Sequence, residues 1–377
     1  MSETGPPSPP EPDGGRSPRR RDAVRHLLHP DQLRDSLSLS AQPSLRNATL
    51  AGLQAALTAA IALPLVHLSP WSHLVGFAAL GALVALFGRF APSRRRLRIL
   101  LLSGLCQVLA VFGMSTAAWL GAPMAAQLLL LALACGLFLF ISVTGRFGAP
   151  GPLIFVFAAG ASMSGGLEFG KVVERTAATA IVAVLAWIVC LASEAFRHLP
   201  SPERPLPADP VPALGPRLVA AARSAVGAGI AIFAGHAIGA NHPAWAAMGA
   251  LAVMQGTHLH ITMNRALQRM AGTMVGAVLA WALLMQHPSV WTVIAVIVVL
   301  QLLTEMVIGI NYAFGQFFVT PMALLMTYLG AAGAVGPEMA PERVLDTLLG
   351  AAVGILMAVL FSTLDDRRHL AGRRPAT

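Results

Sequence analysis

One carboxylate, Glu305, lies in a stretch of sequence that otherwise carries no charge. Residues 291–310 are apolar apart from two threonines, one glutamine and Glu305. A charge at the centre of a bilayer costs about 2.5–3.5 kcal/mol on insertion scales, so such a carboxyl must face protein or a water-filled cavity. Because loss of hydration favours the protonated form, Glu305 could take up and release protons. The alternative is an interface anchor that is hydrogen-bonded to a neighbouring helix.

Amide and phenol groups follow Glu305 at a predicted turn between two apolar stretches. Asn311, Tyr312 and Gln316 lie where one predicted helix ends and the next begins, and Thr320 and Pro321 lie a few residues into the second helix. Proline lacks the backbone N–H that would bond the carbonyl four residues earlier, so it interrupts a helix. An interrupted helix beside amide and phenol groups could bind an organic anion. A proline kink beside an interfacial tyrosine is the alternative.

A third candidate pattern is Arg269-x-x-Gly272-Thr273-x-x-Gly276. A guanidinium matches a carboxylate through two parallel hydrogen bonds, so Arg269 could hold an acidic substrate. Arg269 could instead serve only as a cytoplasmic anchor of its helix. The two glycines lie one helical turn apart and predict close packing against a neighbouring helix.

The composition indicates the elements that must position these residues. The chain has 377 residues, of which 56% are hydrophobic and 11% charged, with a mean hydropathy of +0.68. A typical soluble domain carries about 25% charged residues, so the composition argues against a soluble enzyme. The net charge of +9 comes from arginines in short clusters between apolar runs, which is not the pattern of a nucleic-acid-binding face. Without catalytic or metal-ligand motifs, we expect no enzyme activity, no metal site and no cofactor.

Twelve apolar stretches predict an all-α polytopic membrane protein with about twelve transmembrane helices. Most of them are long enough to cross about 30 Å of hydrocarbon at about 1.5 Å per residue. The stretch at 72–88 is the shortest. The stretches lie near 47–68, 72–88, 99–120, 124–143, 151–168, 175–195, 218–240, 244–262, 270–286, 289–309, 314–333 and 343–362.

The cations predict the orientation of these helices. If the twelve helices alternate and the N-terminus is cytoplasmic, all but three of the 26 lysine and arginine residues fall in cytoplasmic segments. The three exceptions, Lys171, Arg175 and Arg343, fall in the predicted outer loops. Because positive charge accumulates on the cytoplasmic side, we expect both termini there.

The chain divides into two similar halves. Glu174-Arg175 and Glu342-Arg343 each open the last apolar stretch of a half, 168 residues apart, and Pro152 and Pro321 open the preceding stretches. This common order predicts two parallel six-helix repeats, and transporters place substrate at such a repeat interface. The predicted segments are a disordered N-terminus with an amphipathic helix (1–46), the first half (47–199), a proline-rich linker (200–216), the second half (217–363) and a basic tail (364–377).

Three patterns resemble the fusaric acid resistance protein and aromatic acid exporter family over residues 217–362. They are Arg265-x-x-x-Arg269-x-x-Gly272-Thr273-x-x-Gly276, Glu305-x(5)-Asn311-Tyr312-x(7)-Thr320-Pro321 and Glu342-Arg343-x-x-Asp346-Thr347-x-x-Gly350. Many members of this family carry a large soluble domain between the halves, where this chain has only the short linker.

The resemblance implies a proton-driven exporter of aromatic carboxylic acids in the bacterial inner (plasma) membrane. Its motifs place Glu305, Asn311, Tyr312, Thr320, Arg269 and Thr273 among the candidates for substrate binding or proton coupling. The expected partners are the lipid bilayer and a small organic anion, without nucleic acid, and a homo-oligomer stays open. The alternatives are a major-facilitator-type transporter of another substrate, a passive organic-anion channel and a membrane structural protein.

Overall fold

The apolar stretches form helices in the computed structural model, which describes residue 34 and residues 36–198, 211–256, 259–331 and 335–361. Residues 1–33, most of the predicted linker and the basic tail lie outside the described residues. Two boundaries differ from the predicted ones. Residues 38–43 are not helical, in contrast to the predicted amphipathic helix, and the last residues assigned to the linker already belong to a helix that begins at Leu214.

Twelve α-helices follow one another in the described part of the chain, and no strand occurs there. The all-α prediction is therefore confirmed for these residues. The helices are α1 (Leu45–His67), α2 (Val75–Ala82), α3 (Ser93–Trp119), α4 (Met124–Gly145), α5 (Leu153–Ala161), α6 (Phe169–Ala192), α7 (Leu214–Ala237), α8 (Ala244–Met254), α9 (Leu259–Leu284), α10 (Val290–Val307), α11 (Tyr312–Gly330) and α12 (Met339–Leu360).

Nine of these helices are long and apolar enough to cross a membrane, counting only the described residues. The long helices expose apolar stripes. On α3, for example, Leu101, Leu105 and Leu109 lie one turn apart and are each more than half exposed. Such continuous apolar surface on several helices is typical of lipid contact, so the chain is a multi-pass membrane protein.

The other three helices, α2, α5 and α8, are too short to span a bilayer alone, so twelve full-length membrane helices are not confirmed. Every residue of α2 and α8 is buried in the protein. Non-helical backbone at membrane depth is tolerated where protein or a water-filled cavity surrounds it. The short helices can therefore end early because they lie inside the bundle, away from lipid.

Helices at corresponding positions of the two halves pack alike. The helix α2 packs on α6 as α8 packs on α12, and α3 packs on α5 as α9 packs on α11. Contacts between the halves are also paired, since α4 packs on α7 and α10 on α1, while α5 contacts α8 and α11 contacts α2. The interface between the halves thus contains all three short helices.

Glycines set the close approach of α9 and α11. A Cβ atom at Gly272 would collide with the carbonyl oxygen of Ala313, and one at Gly276 would lie 2.6 Å from the carbonyl oxygen of Phe317. Pro321, inside α11, provides no N–H for that same Phe317 carbonyl. The predicted close packing at these two glycines is therefore present, against carbonyl groups of the proline-containing helix.

We expect Gly272→Ala to lower the melting temperature of the detergent-solubilised protein. An added methyl group must push α9 away from α11, and overpacking of this kind costs about 1–3 kcal/mol. The matched control is Gly113→Ala on α3, where no atom lies within 4 Å of an added Cβ and where alanine favours the helix by about 1 kcal/mol. Equal melting temperatures for the two variants would contradict this packing.

Candidate functional site

A cavity of about 1270 Å³ lies between the two halves. It is lined by residues from the connections between α2 and α3, α4 and α5, α8 and α9, and α10 and α11. Among its described lining residues the only carboxylate is Glu305, whereas eight are arginines, and we call it the arginine-rich cavity. The eight arginines are Arg89, Arg95, Arg146, Arg217, Arg223, Arg265, Arg269 and Arg343. Such an excess of positive charge in a concave site attracts anions.

Arg269 lies beside Tyr312 and Gln316 on the wall of this cavity. Its Nη1 donates to the Tyr312 hydroxyl at 3.0 Å and to Oε1 of Gln316 at 3.4 Å. The residue is only 3% exposed, and its Nε has no hydrogen-bond partner in the described part of the chain. A buried charged donor without a partner is costly, so this guanidinium is suited to receive a ligand carboxylate.

Arg343 lines the same cavity, although its sequence position predicts an outer loop. It lies in the first turns of α12, is 2% exposed and stacks over the indole ring of Trp245 at 5.2 Å. Its Nε and Nη1 have no hydrogen-bond partner among the described residues. Arg343 and Arg269 therefore both belong to the wall of this cavity.

Arg343 lies within α12 and not in the loop to which the sequence assigns it, while the side of the membrane on which it lies stays a prediction. Arg175, the other arginine assigned to an outer loop, likewise lies within a helix, α6. One sequence signal does indicate Arg343 as a site residue. It is the position of Arg343 at the beginning of an apolar stretch, where a buried charge needs a role.

Glu305 forms an ion pair with Arg89, and both side chains are at most 10% exposed. Arg89 belongs to the connection after α2, and Glu305 lies near the end of α10, so the pair joins the two halves. Gly52 allows α1 to pack closely against α10 beside Glu305, since a Cβ at Gly52 would lie 2.9 Å from the Glu305 Cβ. The expectation that this carboxyl faces protein or a cavity agrees with its burial, whereas its proton exchange stays a prediction.

The backbone around Arg89 is held by a second ionic cluster. Arg197 donates from Nη2 to the carbonyl oxygens of Arg89 at 2.9 Å and Ala91 at 2.8 Å, and its Nη1 contacts Glu194 at 2.6 Å. Burial acts to raise the pKa of Glu194, but hydrogen bonds and charges from Arg197 and Arg96 outweigh it and lower that pKa. Glu194 is therefore a stable anion that orients Arg197.

The remaining predicted site residues have structural partners. Asn311 caps α11 by accepting from the Ala313 N–H at 2.8 Å, and its Nδ2 donates to the carbonyl oxygens of Ser36 and Ser38. It lines the arginine-rich cavity, but both ends of its amide are already bonded. Thr320 donates to Thr273 at 3.5 Å between α11 and α9, and neither residue lines this cavity.

The structure therefore brings Arg269 and Tyr312 together, places Glu305 and Asn311 on the same cavity wall, and leaves Thr273 and Thr320 between helices. In the described part of the chain, no group of three or more His, Cys, Asp or Glu side chains is arranged as metal ligands. The three cysteines, Cys106, Cys135 and Cys190, are buried and form no disulfide.

Comparison with known proteins places this site in a family context. Residues 230–357 match the model of the family described as fusaric acid resistance protein-like, so the resemblance seen in the sequence is confirmed over this segment. The segment contains Arg269, Glu305 and Tyr312, and it also contains Arg343.

Two relatives share shorter segments with the chain. An uncharacterized membrane protein of Bacillus subtilis, YvaC, is 38% identical over 116 residues, which are 31% of this chain and 18% of that protein. An uncharacterized protein of Neisseria gonorrhoeae, ORF2, is 32% identical over 109 residues, 29% of this chain and 25% of that protein. The chain thus matches a quarter or less of either relative's length. No solved structure matches it at a significant level.

Proposed function

We propose that this protein is a proton-coupled exporter of small organic, aromatic carboxylates in the bacterial inner membrane. The observation that carries the proposal is the arginine-rich cavity, in which Glu305 is the only carboxylate among the described lining residues. The family match at residues 230–357 supports membrane transport as the general activity.

The proposed architecture is two parallel six-helix repeats, residues 47–199 and 217–363, with twelve membrane-crossing segments and both termini in the cytoplasm. Duplicated contacts support it. Arg175 stacks over Phe77 at 5.0 Å as Arg343 stacks over Trp245 at 5.2 Å, and each pair of equivalent residues is 168 positions apart. Every second connection between helices lines the arginine-rich cavity, namely α2–α3, α4–α5, α8–α9 and α10–α11. This order supports a crossing of the membrane by the short helices as well.

Ion pairs at the end of the protein opposite the arginine-rich cavity are also repeated in the two halves. His73 contacts Glu174 at 2.9 Å in the first half, and His242 contacts Glu342 at 3.0 Å in the second. Glu174 and Glu342 each precede the stacked arginine of their own helix. A cavity at the interface of such repeats is where substrate is expected in transporters of this build.

An aromatic carboxylate fits the two kinds of surface in the cavity. Arg269 and Arg343 offer unpartnered N–H donors to a carboxylate. The phenol of Tyr312 and the rings of Phe140 and Phe157 line the same cavity and can pack against an aromatic body. A ligand with one charged end and one flat apolar end would satisfy both surfaces.

The Arg89–Glu305 ion pair supplies a route for proton coupling. A proton taken up from the outer side neutralises Glu305 and removes the charge that holds Arg89, so the connection between the halves is released. When Glu305 gives up its proton to the cytoplasmic side, the pair re-forms and the cavity is again open to the cytoplasm. A proton would thus enter as substrate leaves, with Glu305 as the exchanging group.

Transport in proteoliposomes tests this function. The purified protein is reconstituted with labelled phthalate, an aromatic acid whose two carboxylates limit passive leakage, and a pH gradient is imposed. We expect phthalate to move against its concentration gradient while protons move the opposite way, with protein-free liposomes as the control. Gradient-independent, purely downhill flux would indicate the anion channel instead. Flux equal to that of protein-free liposomes with every acid tried would favour a structural role.

A further inference from the structure

A second cavity, of about 480 Å³, lies on the other side of the interface between the halves. It is lined by α2, α5 and α6 of the first half and by the end of α7, the start of α8 and α11 of the second half. Because it includes the connection between α7 and α8, which is predicted to be external, we call it the outer cavity. Arg175 and His242 are among its polar residues.

Only two of the described residues line both cavities, Phe157 and Met326. Phe157 lies on the short helix α5 and Met326 on α11, and both side chains are wholly or partly buried. They are 169 positions apart, the same spacing as Pro152 and Pro321 at the beginning of the corresponding apolar stretches. Each half thus contributes one apolar side chain to the walls of both cavities, and we call these two side chains the apolar layer.

Each cavity is lined by one of two equivalent arginines. Arg343 lines the arginine-rich cavity and stacks over Trp245, while Arg175 lines the outer cavity and stacks over Phe77. Arg175 also donates to the carbonyl oxygen of Ser162 at 3.3 Å, which holds it at the wall of the outer cavity. The two equivalent arginines therefore line different cavities, Arg343 the arginine-rich cavity and Arg175 the outer cavity.

We propose that Phe157 and Met326 form the barrier of the transport pathway and that Arg175 receives the carboxylate in the outer cavity once this barrier opens. The inference rests on the proposed function for its substrate, an organic carboxylate. An anion moving through an apolar constriction needs a favourable charge on each side, or it remains bound at the first one. Rotation of one methionine and one phenylalanine side chain requires no rearrangement of α6 or α12, which carry the two arginines.

The barrier can be tested without any substrate. The residue Thr327 lines only the outer cavity, and the natural cysteines are at most 7% exposed, so Thr327→Cys would give one reactive thiol. With an impermeant thiol reagent applied from the side of the arginine-rich cavity, we expect labelling at least about tenfold slower than from the outer side. Adding Phe157→Ala and Met326→Ala should raise the slow rate by about tenfold or more, because the layer becomes thinner.

The matched controls are Leu153→Ala and Met322→Ala. These residues lie one turn before Phe157 and Met326 on the same helices and line only the arginine-rich cavity. They should leave the labelling rate unchanged. Equal labelling from both sides in the starting protein, or an equal acceleration by the control pair, would overturn the barrier. If the double alanine variant does not fold, Met326→Ala alone is compared with Met322→Ala by the same measurement.

The role of Arg175 is tested by separating binding from export. We expect Arg175→Gln to bind phthalate from the cytoplasmic side within about twofold of the starting protein, but to export it at least about tenfold more slowly. Lys171→Gln, one turn earlier on α6 and outside both cavities, is the control and should export normally. Unimpaired export by Arg175→Gln would exclude it from the pathway. If the starting protein binds no aromatic acid, the proposed function is refuted. The labelling of Thr327→Cys would still show whether Phe157 and Met326 form a barrier.

Discussion

Replacement of Arg269 by glutamine should weaken phthalate binding by about 10–100-fold and reduce export accordingly. Hydrogen bonds to a charged group contribute about 1.5–3 kcal/mol, and each 1.4 kcal/mol corresponds to about tenfold in affinity. Arg269 is buried beside Tyr312, and its Nε has no partner among the described residues. The only carboxylate among the described lining residues, Glu305, pairs with Arg89 and not with Arg269. Binding is measured on the purified protein by calorimetry, and export in proteoliposomes.

Two variants separate a specific contact from general electrostatics. Arg269→Lys keeps the charge but loses the paired geometry of the guanidinium, so it should recover only part of the affinity. Arg265→Gln removes an equal charge one turn earlier on the wall of the same cavity, and it should cost only a few-fold. If Arg265→Gln and Arg269→Gln weaken binding equally, the cavity attracts anions only through its summed charge, and Arg269 is not a contact residue.

Replacement of Glu305 by glutamine should uncouple acid movement from proton movement. The amide cannot exchange a proton and no longer forms an ion pair with Arg89, so the step that closes the cycle loses its dependence on pH. We expect the acceleration of phthalate export by a pH gradient to fall from about tenfold to less than about twofold. Labelled phthalate and a pH-sensitive dye inside the same vesicles report the two fluxes together.

The control for this variant is Glu338→Gln. It makes the same chemical change in a residue outside both cavities, whose carboxylate accepts the N–H of Gly336 at 2.6 Å. Its coupling should be that of the starting protein. The double variant Arg89→Gln with Glu305→Gln should behave as Glu305→Gln alone, because the two residues act through one ion pair. A Glu305→Gln protein that still exchanges protons for phthalate would remove Glu305 from the coupling mechanism.

Local sequence patterns could predict part of the site. A guanidinium and a phenol near helix ends suit a carboxylate, so the sequence predicts Arg269 and Tyr312 as site residues. The structure places Nη1 of Arg269 3.0 Å from the Tyr312 hydroxyl oxygen. An intramembrane carboxyl needs a partner, so the sequence also predicts Glu305. The identity of that partner is not predictable, because Arg89 lies 216 residues away in sequence. Such pairings between distant segments are not encoded in any local pattern.

Arg343 shows where the charge rule is insufficient. Counting cations by segment assumes that each charge near a helix end lies in the adjacent loop. Arg343 instead stacks on Trp245 inside the bundle and lines the arginine-rich cavity. Thr273 and Thr320 show the reverse case, since both belong to patterns shared with the family but contact each other between α9 and α11.

By itself, the sequence determined that this is an all-α multi-pass membrane protein, because apolar runs of this length are stable only as helices that satisfy their own backbone hydrogen bonds in lipid. It also determined the order of the helical segments and the positions where glycine permits close packing. The tertiary structure alone decided that α2, α5 and α8 are short and central, which charges face a cavity, and which atoms remain unpartnered. The reason is that lipid acts uniformly on each segment, whereas a cavity is defined by contacts between segments that are distant in sequence.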